Sequence, residues 1–189
     1  ATGEVMGIGA TLEESLLKAV RSLEIGVCHF WMPKFRDMET EKIADYISKF
    51  RDDNFFGVAE LMRRGYTIEQ LYDITKITPY FLEAIKNIID MEESLRANKD
   101  LETLAAAKKM GFGDKFIAKL WNKKEIEIYE IRKAENLLPV YRMVDTCHTG
   151  VYIPYFYSTY ENDNESIRTD KKKIVVLGSG PIRIGQGVE

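Results

Sequence analysis

A block of short amphipathic segments, running from about Glu39 to Asn136, constrains the fold more than any other part of the sequence. Apolar residues recur in it every three or four positions, which is the spacing of one face of an α-helix. Gly65 and Gly111 interrupt this spacing, and glycine often ends a helix because it readily adopts a left-handed backbone conformation. The block is therefore predicted to be a succession of short helices, and the fold class is predicted to be mainly α.

Residues that favour helix starts support this division. Thr67 precedes Gln70 by three positions, the spacing of a capping box, and Thr78 precedes Pro79, which suits the first helical turn. Further helix starts are predicted at Asn54, Asp100, Asp114 and Asn122. The last segment also has isoleucines that nearly alternate, as in a strand, but the Glu, Lys and Arg between them favour a helix.

Strand-like runs flank the block. Residues 4–9 end in glycine and lead into an amphipathic helix, for which Thr11 and Glu14 form a predicted capping box. Residues 26–37 are predicted to be irregular. Beyond the block, residues 140–144 are predicted to be extended, residues 162–173 form a polar linker, and residues 174–177 form an apolar strand.

Composition sets limits on the class of protein. The chain has 189 residues, with 27 basic and 30 acidic side chains, so its net charge of −3 argues against a dedicated nucleic-acid binder. Two cysteines do not form a disulfide framework, and no apolar run approaches the roughly 18 residues of a membrane helix. A cytoplasmic protein is predicted. Both ends of the chain are expected to lie within neighbouring domains.

Four residues offer a possible metal or nucleophile site. Cys28–His29 and Cys147–His148 together provide the ligand types of structural zinc. Adjacent ligands have poor geometry, however, because neighbouring side chains diverge, and no orienting carboxylate is evident for a Cys/His nucleophile. Core positions are the favoured interpretation, so no catalytic residue and no metal ligand is predicted.

Met110-Gly111-Phe112 stands before a short predicted helix, as in small helical modules that present a hydrophobic patch to a protein partner. The alternative is a helix end followed by a core aromatic residue. A segment around Gly65 is similar at an offset of 46 residues, which indicates at most a duplicated hairpin.

Gly178 and Gly180 follow the last strand, where bare backbone N–H groups can approach an anion. The third position of a dinucleotide fingerprint falls on Arg183 instead of glycine, so the spacing alone favours a tight turn without a ligand.

Three segments together resemble one family. Residues 2–9 are similar to the end of an ATP-grasp half, residues 140–147 and 157–161 to the join between two such halves, and residues 176–189 to the start of the second half. In this order around a helical block, they resemble the large subunit of carbamoyl phosphate synthetase. The resemblance implies that residues 1–24 close the first, carboxyphosphate half. Residues 25–165 would form a helical oligomerisation domain, and residues 166–189 a linker and the opening of the second half, with short strand remnants at both ends.

The resemblance also implies a function. The parent ligase would make carbamoyl phosphate from bicarbonate, glutamine-derived ammonia and two ATP, for pyrimidine or arginine biosynthesis, with Mg²⁺ or Mn²⁺ and possibly K⁺ as an additional ion. Its partners would be further large subunits and a glutaminase small subunit, with no nucleic acid and no membrane. This piece would join the two halves and self-associate. It would have no enzymatic activity alone and would bind no cofactor. Its glycine turn would line the carbamate passage through Gly178, Gly180, Pro181, Arg183, Gly185, Gln186 and Gly187. The alternative is a free-standing helical protein-binding module.

Overall fold

The computed structural model describes residues 5–23, 25–145, 150–152 and 154–176. Over these residues the chain is mainly α-helical, which confirms the predicted fold class. The helices are α1 (Leu12–Ser22), α2 (Pro33–Arg36), α3 (Thr40–Ile47), α4 (Asn54–Arg63), α5 (Ile68–Thr75), α6 (Pro79–Ala97), α7 (Leu101–Lys109), α8 (Asp114–Trp121) and α9 (Glu125–Ala134). The strands are β1 (Val140–Met143) and β2 (Phe156–Thr159).

Helix α6 lies at the centre of the core. It is 19 residues long and packs against α1, α4, α5, α7 and α8. Its buried apolar residues recur three, four or seven positions apart, as one helix face requires: Leu82, Ile85, Ile88, Ile89 and Leu95. Helix α1 thus belongs to the same core as the block that begins near residue 39.

The two glycine breaks end their helices in the same way. Gly65 and Gly111 have φ of +92° and +97°. After each glycine, an aromatic N–H donates back to the preceding helix: Tyr66 to the Leu61 carbonyl and Phe112 to the Ala107 carbonyl, both at 3.0 Å. This is the Schellman pattern, which satisfies carbonyls that the helix end leaves unpaired. A shared helix ending accounts for the 46-residue similarity without a duplicated hairpin.

Some predicted caps are confirmed. Thr67 and Gln70 form the complete capping box, with hydrogen bonds of 2.9 and 3.2 Å, and Pro79 occupies the first turn of α6. The box at Thr11 is half formed, because its hydroxyl accepts from the Glu14 N–H while the Glu14 carboxylate accepts from Ala10 instead.

Other predicted caps are wrong. Asn122 adopts a left-handed conformation (φ +54°) that ends α8, and α9 starts after Lys124, whose N–H donates to Glu127. Asn54 is the first residue of α4, so the predicted start is confirmed, but its side chain does not cap the helix and its amide donates to the Ile47 and Lys49 carbonyls. Asn122 thus ends the preceding helix through its backbone, and Asn54 bonds the preceding helix and loop through its side chain.

One predicted extended segment forms a strand, and two others do not. β1 and β2 pair antiparallel in the register Val140↔Thr159 to Met143↔Phe156. Residues 5–9 and 174–176, by contrast, belong to no strand, and Ile174, Val175 and Val176 are at least 80% exposed. A strand is stabilised only by a partner strand, and no partner pairs with these runs within the described ranges. The run predicted to be irregular, residues 26–37, contains the short helix α2.

Candidate junction and exposed loop

The entering and leaving segments of the helical block meet at α1. Lys18 Nζ donates to the Ile8 carbonyl at 2.7 Å and to the Ser158 carbonyl at 2.6 Å, and it lies 2.9 Å from the Glu14 carboxylate. Residue 8 precedes the helices and residue 158 lies in β2, so one side chain links two segments that are 150 residues apart in sequence. We call the surroundings of Lys18 the junction.

Backbone also approaches α1 closely at the junction. A Cβ placed on Gly111 would lie 2.9 Å from the Cα of Glu14, and one on Gly7 would lie 2.1 Å from the carbonyl oxygen of Ser15. Arg21, one turn beyond Lys18, donates to the Gly111 carbonyl at 2.7 Å. The junction therefore depends on glycine at these two positions.

A buried ion network on α7, α8 and α9 contacts the segment that follows β2. Asp114 accepts from Lys108 at 2.8 Å and from Arg132 at 2.5 Å. Burial alone would raise the pKa of Asp114, but hydrogen bonds and charge from Arg132 and Lys108 hold that pKa below its ordinary value. The ring of Tyr160, just after β2, lies 4.8 Å from Lys108 Nζ and 5.5 Å from the Arg132 guanidinium, a cation–π arrangement.

A second buried network joins three parts of the core. His29 Nε2 lies 2.9 Å from Glu92 on α6, and Arg63 on α4 donates to the same carboxylate and to the Phe30 carbonyl. Burial would raise the pKa of Glu92, but the hydrogen bonds from His29 and Arg63 lower it below its ordinary value. Burial lowers the pKa of His29, despite the nearby carboxylate. Glu92 is therefore ionised and His29 neutral at pH 7.

Sequence reasoning missed both networks, although the sequence contains a signal for them. Glu92, Lys108 and Arg132 each stand four residues after a buried apolar residue: Ile88, Leu104 and Ile128, respectively. Residues four apart lie near the same helix face, so this spacing favours an inward position for these charges, although Glu93, four residues after buried Ile89, is exposed. A charge in an inward position requires a buried partner.

One loop presents an aromatic side chain entirely to solvent. Phe50, in the loop of residues 48–53 between α3 and α4, is 107% exposed, although the apolar spacing Ile43, Ile47, Phe50 favours a core position on a helix face. Asn54 holds the loop through the Lys49 carbonyl at 2.8 Å, and Asp53 accepts from Lys34 at 2.8 Å and from Tyr46 at 3.0 Å. We call residues 48–53 the exposed loop. Phe55 and Phe81, which also stand in apolar helical patterns, are 37% and 43% exposed.

Phe112 does not form a surface patch. Its side chain is 1% exposed and packs near His29 and Phe116 in the core. The alternative function, recognition of a protein partner through Met110 to Phe112, lacks an accessible aromatic residue because the Schellman turn directs Phe112 inward. The core interpretation of this tripeptide is confirmed.

The remaining predicted site residues divide by location. The glycine turn, from Gly178 to Gly187, lies outside the described residues, as do Cys147 and His148. His29 is a buried partner of Glu92, and Cys28 is half-buried. The described ranges hold no group of three or more His, Cys, Asp or Glu side chains arranged for a metal ion. Within these ranges, no helix has the length and apolar content of a membrane span.

Comparison with protein families gives one match. Residues 4–136 match the model of the oligomerisation domain of the carbamoyl-phosphate synthetase large chain. The match starts ahead of α1 and ends just after α9, so it contains the whole helical core described above. It begins before the domain boundary predicted at residue 25 and ends before the boundary predicted at residue 165, and the division into three domains stays a prediction.

Proposed function

The chain belongs to the family of the carbamoyl-phosphate synthetase large-chain oligomerisation domain, and we propose on that basis that it mediates contact between large chains and joins two synthetase halves. The parent ligase makes carbamoyl phosphate from bicarbonate, glutamine-derived ammonia and two ATP, with Mg²⁺ or Mn²⁺ at the nucleotide sites and a glutaminase small subunit as partner. The chain itself supplies no catalytic residue. In the parent, the turn from Gly178 to Gly187 lines the passage for carbamate.

The exposed loop is the proposed contact between large chains, and the exposure of Phe50 is the observation that carries this assignment. A fully exposed phenylalanine leaves its whole apolar surface in water, and burial of such a ring contributes roughly 1.5–3 kcal/mol. Aromatic residues on rigid supports are typical anchors of protein interfaces. The supports here are Asn54 and the Lys34–Tyr46–Asp53 cluster.

The charges around Phe50 suit contact with a second copy of the same chain. Asp45 and Asp52 stand on either side of Lys49 and Arg51 in the sequence, and all four side chains are exposed. A two-fold interface apposes the same patch from both subunits, so a patch with both signs of charge can be complementary to itself. A patch with one sign of charge would repel its copy.

The joining role is supported by the junction. Lys18 links the segment that enters the helical core to β2, and Tyr160 packs on the Lys108–Asp114–Arg132 network directly after β2. These contacts fix the point of entry and the point of departure of the chain relative to each other. Flanking halves attached at the two points would then have a defined starting geometry.

Sedimentation equilibrium of the chain over a wide concentration range tests self-association. We expect a reversible, concentration-dependent oligomer, and a strict monomer at every concentration would contradict the assignment of the contact to this chain.

An ATPase assay tests the absence of catalysis. Bicarbonate-dependent hydrolysis of ATP by the purified chain would refute that part of the proposal.

A further inference from the structure

The charged side chains of the exposed loop differ in whether they have a partner within the chain. Lys49 Nζ lies 3.6 Å from the carboxylate of Asp45, one helical turn earlier. The carboxylate of Asp53 accepts a hydrogen bond from Lys34 at 2.8 Å. The chain itself therefore provides an opposite charge for these two loop residues.

Arg51 and Asp52, which directly follow Phe50, have no such partner. Both side chains are exposed, and among the residues that the structure describes neither lies within ion-pair distance of an opposite charge. Water solvates these two charges while the loop is exposed. A contact that covers Phe50 would remove water from them, and a charge that is taken out of water requires an opposite charge. The surface that covers the loop must therefore supply both signs of charge.

Tyr46 holds Arg51 in place before any contact forms. The central carbon of the Arg51 guanidinium lies 4.3 Å from the centroid of the Tyr46 ring, and the Tyr46 hydroxyl donates to Asp53 at 3.0 Å. A guanidinium that lies over an aromatic face is attracted to the ring and still presents N–H donors at its edge to a carboxylate. Because Arg51 is already ordered, pairing costs less side-chain entropy than it would for a freely rotating arginine.

A second copy of the chain supplies both signs of charge in the required arrangement. In a two-fold contact, if one residue meets a second residue of the other copy, the reverse pairing forms as well. One adjacent Arg–Asp sequence therefore gives two reciprocal ion pairs. We propose that Arg51 of each copy pairs with Asp52 of the other copy, a pairing that rests on the proposed function of the exposed loop. Burial of Phe50 provides affinity, and the two ion pairs select a copy of this chain over other proteins with an apolar patch.

Reversal of each charge tests the pairing. Arg51→Asp places acidic side chains opposite each other at both reciprocal contacts, and Asp52→Arg does the same with basic side chains. Each variant alone should self-associate at least about tenfold more weakly than the parent chain, because like charges that face each other oppose association. Lys99→Asp makes the same change in net charge as Arg51→Asp at an exposed position outside the loop, and it should associate as the parent chain does.

A mixture of the two reversed variants should restore association. In an equimolar mixture of Arg51→Asp and Asp52→Arg, the acidic pair of one variant meets the basic pair of the other, so both ion pairs form again. The double variant Arg51→Asp/Asp52→Arg re-forms them between identical copies. Sedimentation equilibrium should give both samples a dissociation constant within about threefold of that of the parent chain.

The behaviour of the parent chain distinguishes failure of the pairing from failure of the contact. A parent chain that does not self-associate refutes the contact and the pairing together. If the parent chain associates, the pairing alone is overturned when either single reversal leaves association unchanged, when the mixture or the double variant fails to restore it, or when Lys99→Asp weakens it as much as Arg51→Asp does. Circular dichroism should show unchanged helix content in every variant, since the substituted side chains are exposed.

Discussion

Three charged side chains are almost completely buried in this core. Glu92, Lys108 and Arg132 are 2%, 5% and 6% exposed, yet each has an ionic or charge-assisted partner. Such networks cost desolvation and add little net stability, but loss of one member leaves the others buried and unpaired. They are therefore sensitive to protonation and to single substitutions.

Protonation of His29 should make the fold sensitive to mild acid. Burial lowers the pKa of His29 below its ordinary value of 6.5, so the unfolded chain takes up a proton before the folded chain does. The stability that neutral His29 contributes is fully present above pH 6.5. It is lost as the pH falls from 6.5 towards the lower pKa that His29 has in the folded chain. We expect the free energy of unfolding in urea to fall by up to about 1.4 kcal/mol per pH unit in this window.

The second histidine provides the control for this prediction. His148→Gln should keep the same pH dependence, since the dependence belongs to His29. The pKa of Glu92 is lowered, so its contribution persists until the pH falls through that depressed value, below the window in question. A pH-independent free energy of unfolding, or a dependence that disappears in His148→Gln, would contradict the account.

Asp114 offers a sharper test of a buried network. Asp114→Asn removes the only carboxylate that contacts both Lys108 and Arg132 within the described residues, and it should cost about 3–5 kcal/mol of unfolding free energy. Asp73→Asn is the matched control, because Asp73 is 77% exposed and pairs only with exposed Lys76. The control should lose less than about 0.5 kcal/mol. Equal losses of unfolding free energy in the two variants, measured by urea denaturation, would show that burial of the network does not affect stability.

At the level of elements, the two Schellman endings have the same backbone geometry and different surroundings. A Cβ at Gly65 would have no heavy atom within 4 Å, whereas one at Gly111 would collide with the backbone of α1 at Glu14. The two glycines therefore separate the cost of left-handed backbone from the cost of close packing.

Alanine at each glycine measures these two costs. Gly65→Ala should lose about 1–2 kcal/mol of unfolding free energy, since the backbone strain is its only penalty. Gly111→Ala should lose a further 1–3 kcal/mol or so, because the added methyl group overpacks the contact with α1. If thermal or urea denaturation gives the same loss of unfolding free energy for both variants, the close contact between α1 and Gly111 is contradicted.

Local signals in the sequence located most helices. The Thr67–Gln70 box and the Asp100 side chain act through hydrogen bonds within one turn, and Pro79 acts through its fixed backbone angle, so short-range patterns were sufficient to place these helix starts. The capping role predicted for Asn54 was wrong because its side chain bonds the preceding element, and the start predicted at Asn122 was wrong because its left-handed backbone ends α8. The partners of Glu92 and Asp114 depend on which helices pack together, and no local pattern encodes that. Only a tendency of such charges to lie near the buried face was predictable.

At the level of the whole molecule, the helical core, the junction and the exposed loop have separate tasks. The core agrees in extent with the family match over residues 4–136. The junction fixes where the chain enters and leaves, through Lys18 and the contacts of Tyr160. The exposed loop places Phe50 in solvent with charges of both signs around it. These arrangements support the proposal that this piece joins neighbouring domains and associates with its own copy.

Self-association through the exposed loop is the central claim, and a pair of substitutions at exposed apolar residues tests it most directly. Phe50→Glu places a charge on the proposed contact, while Ile126→Glu places the same charge on α9, where Ile126 is 58% exposed. Neither position lies in the core, so circular dichroism should show unchanged helix content in both variants.

Sedimentation equilibrium of the three proteins at matched concentrations is the decisive measurement. The account predicts that the parent chain and Ile126→Glu form the same reversible oligomer and that Phe50→Glu is a monomer, because a two-fold contact would bury two like charges against each other. Undiminished association of Phe50→Glu, or its loss in Ile126→Glu alone, would contradict the account and place the contact elsewhere on the molecule.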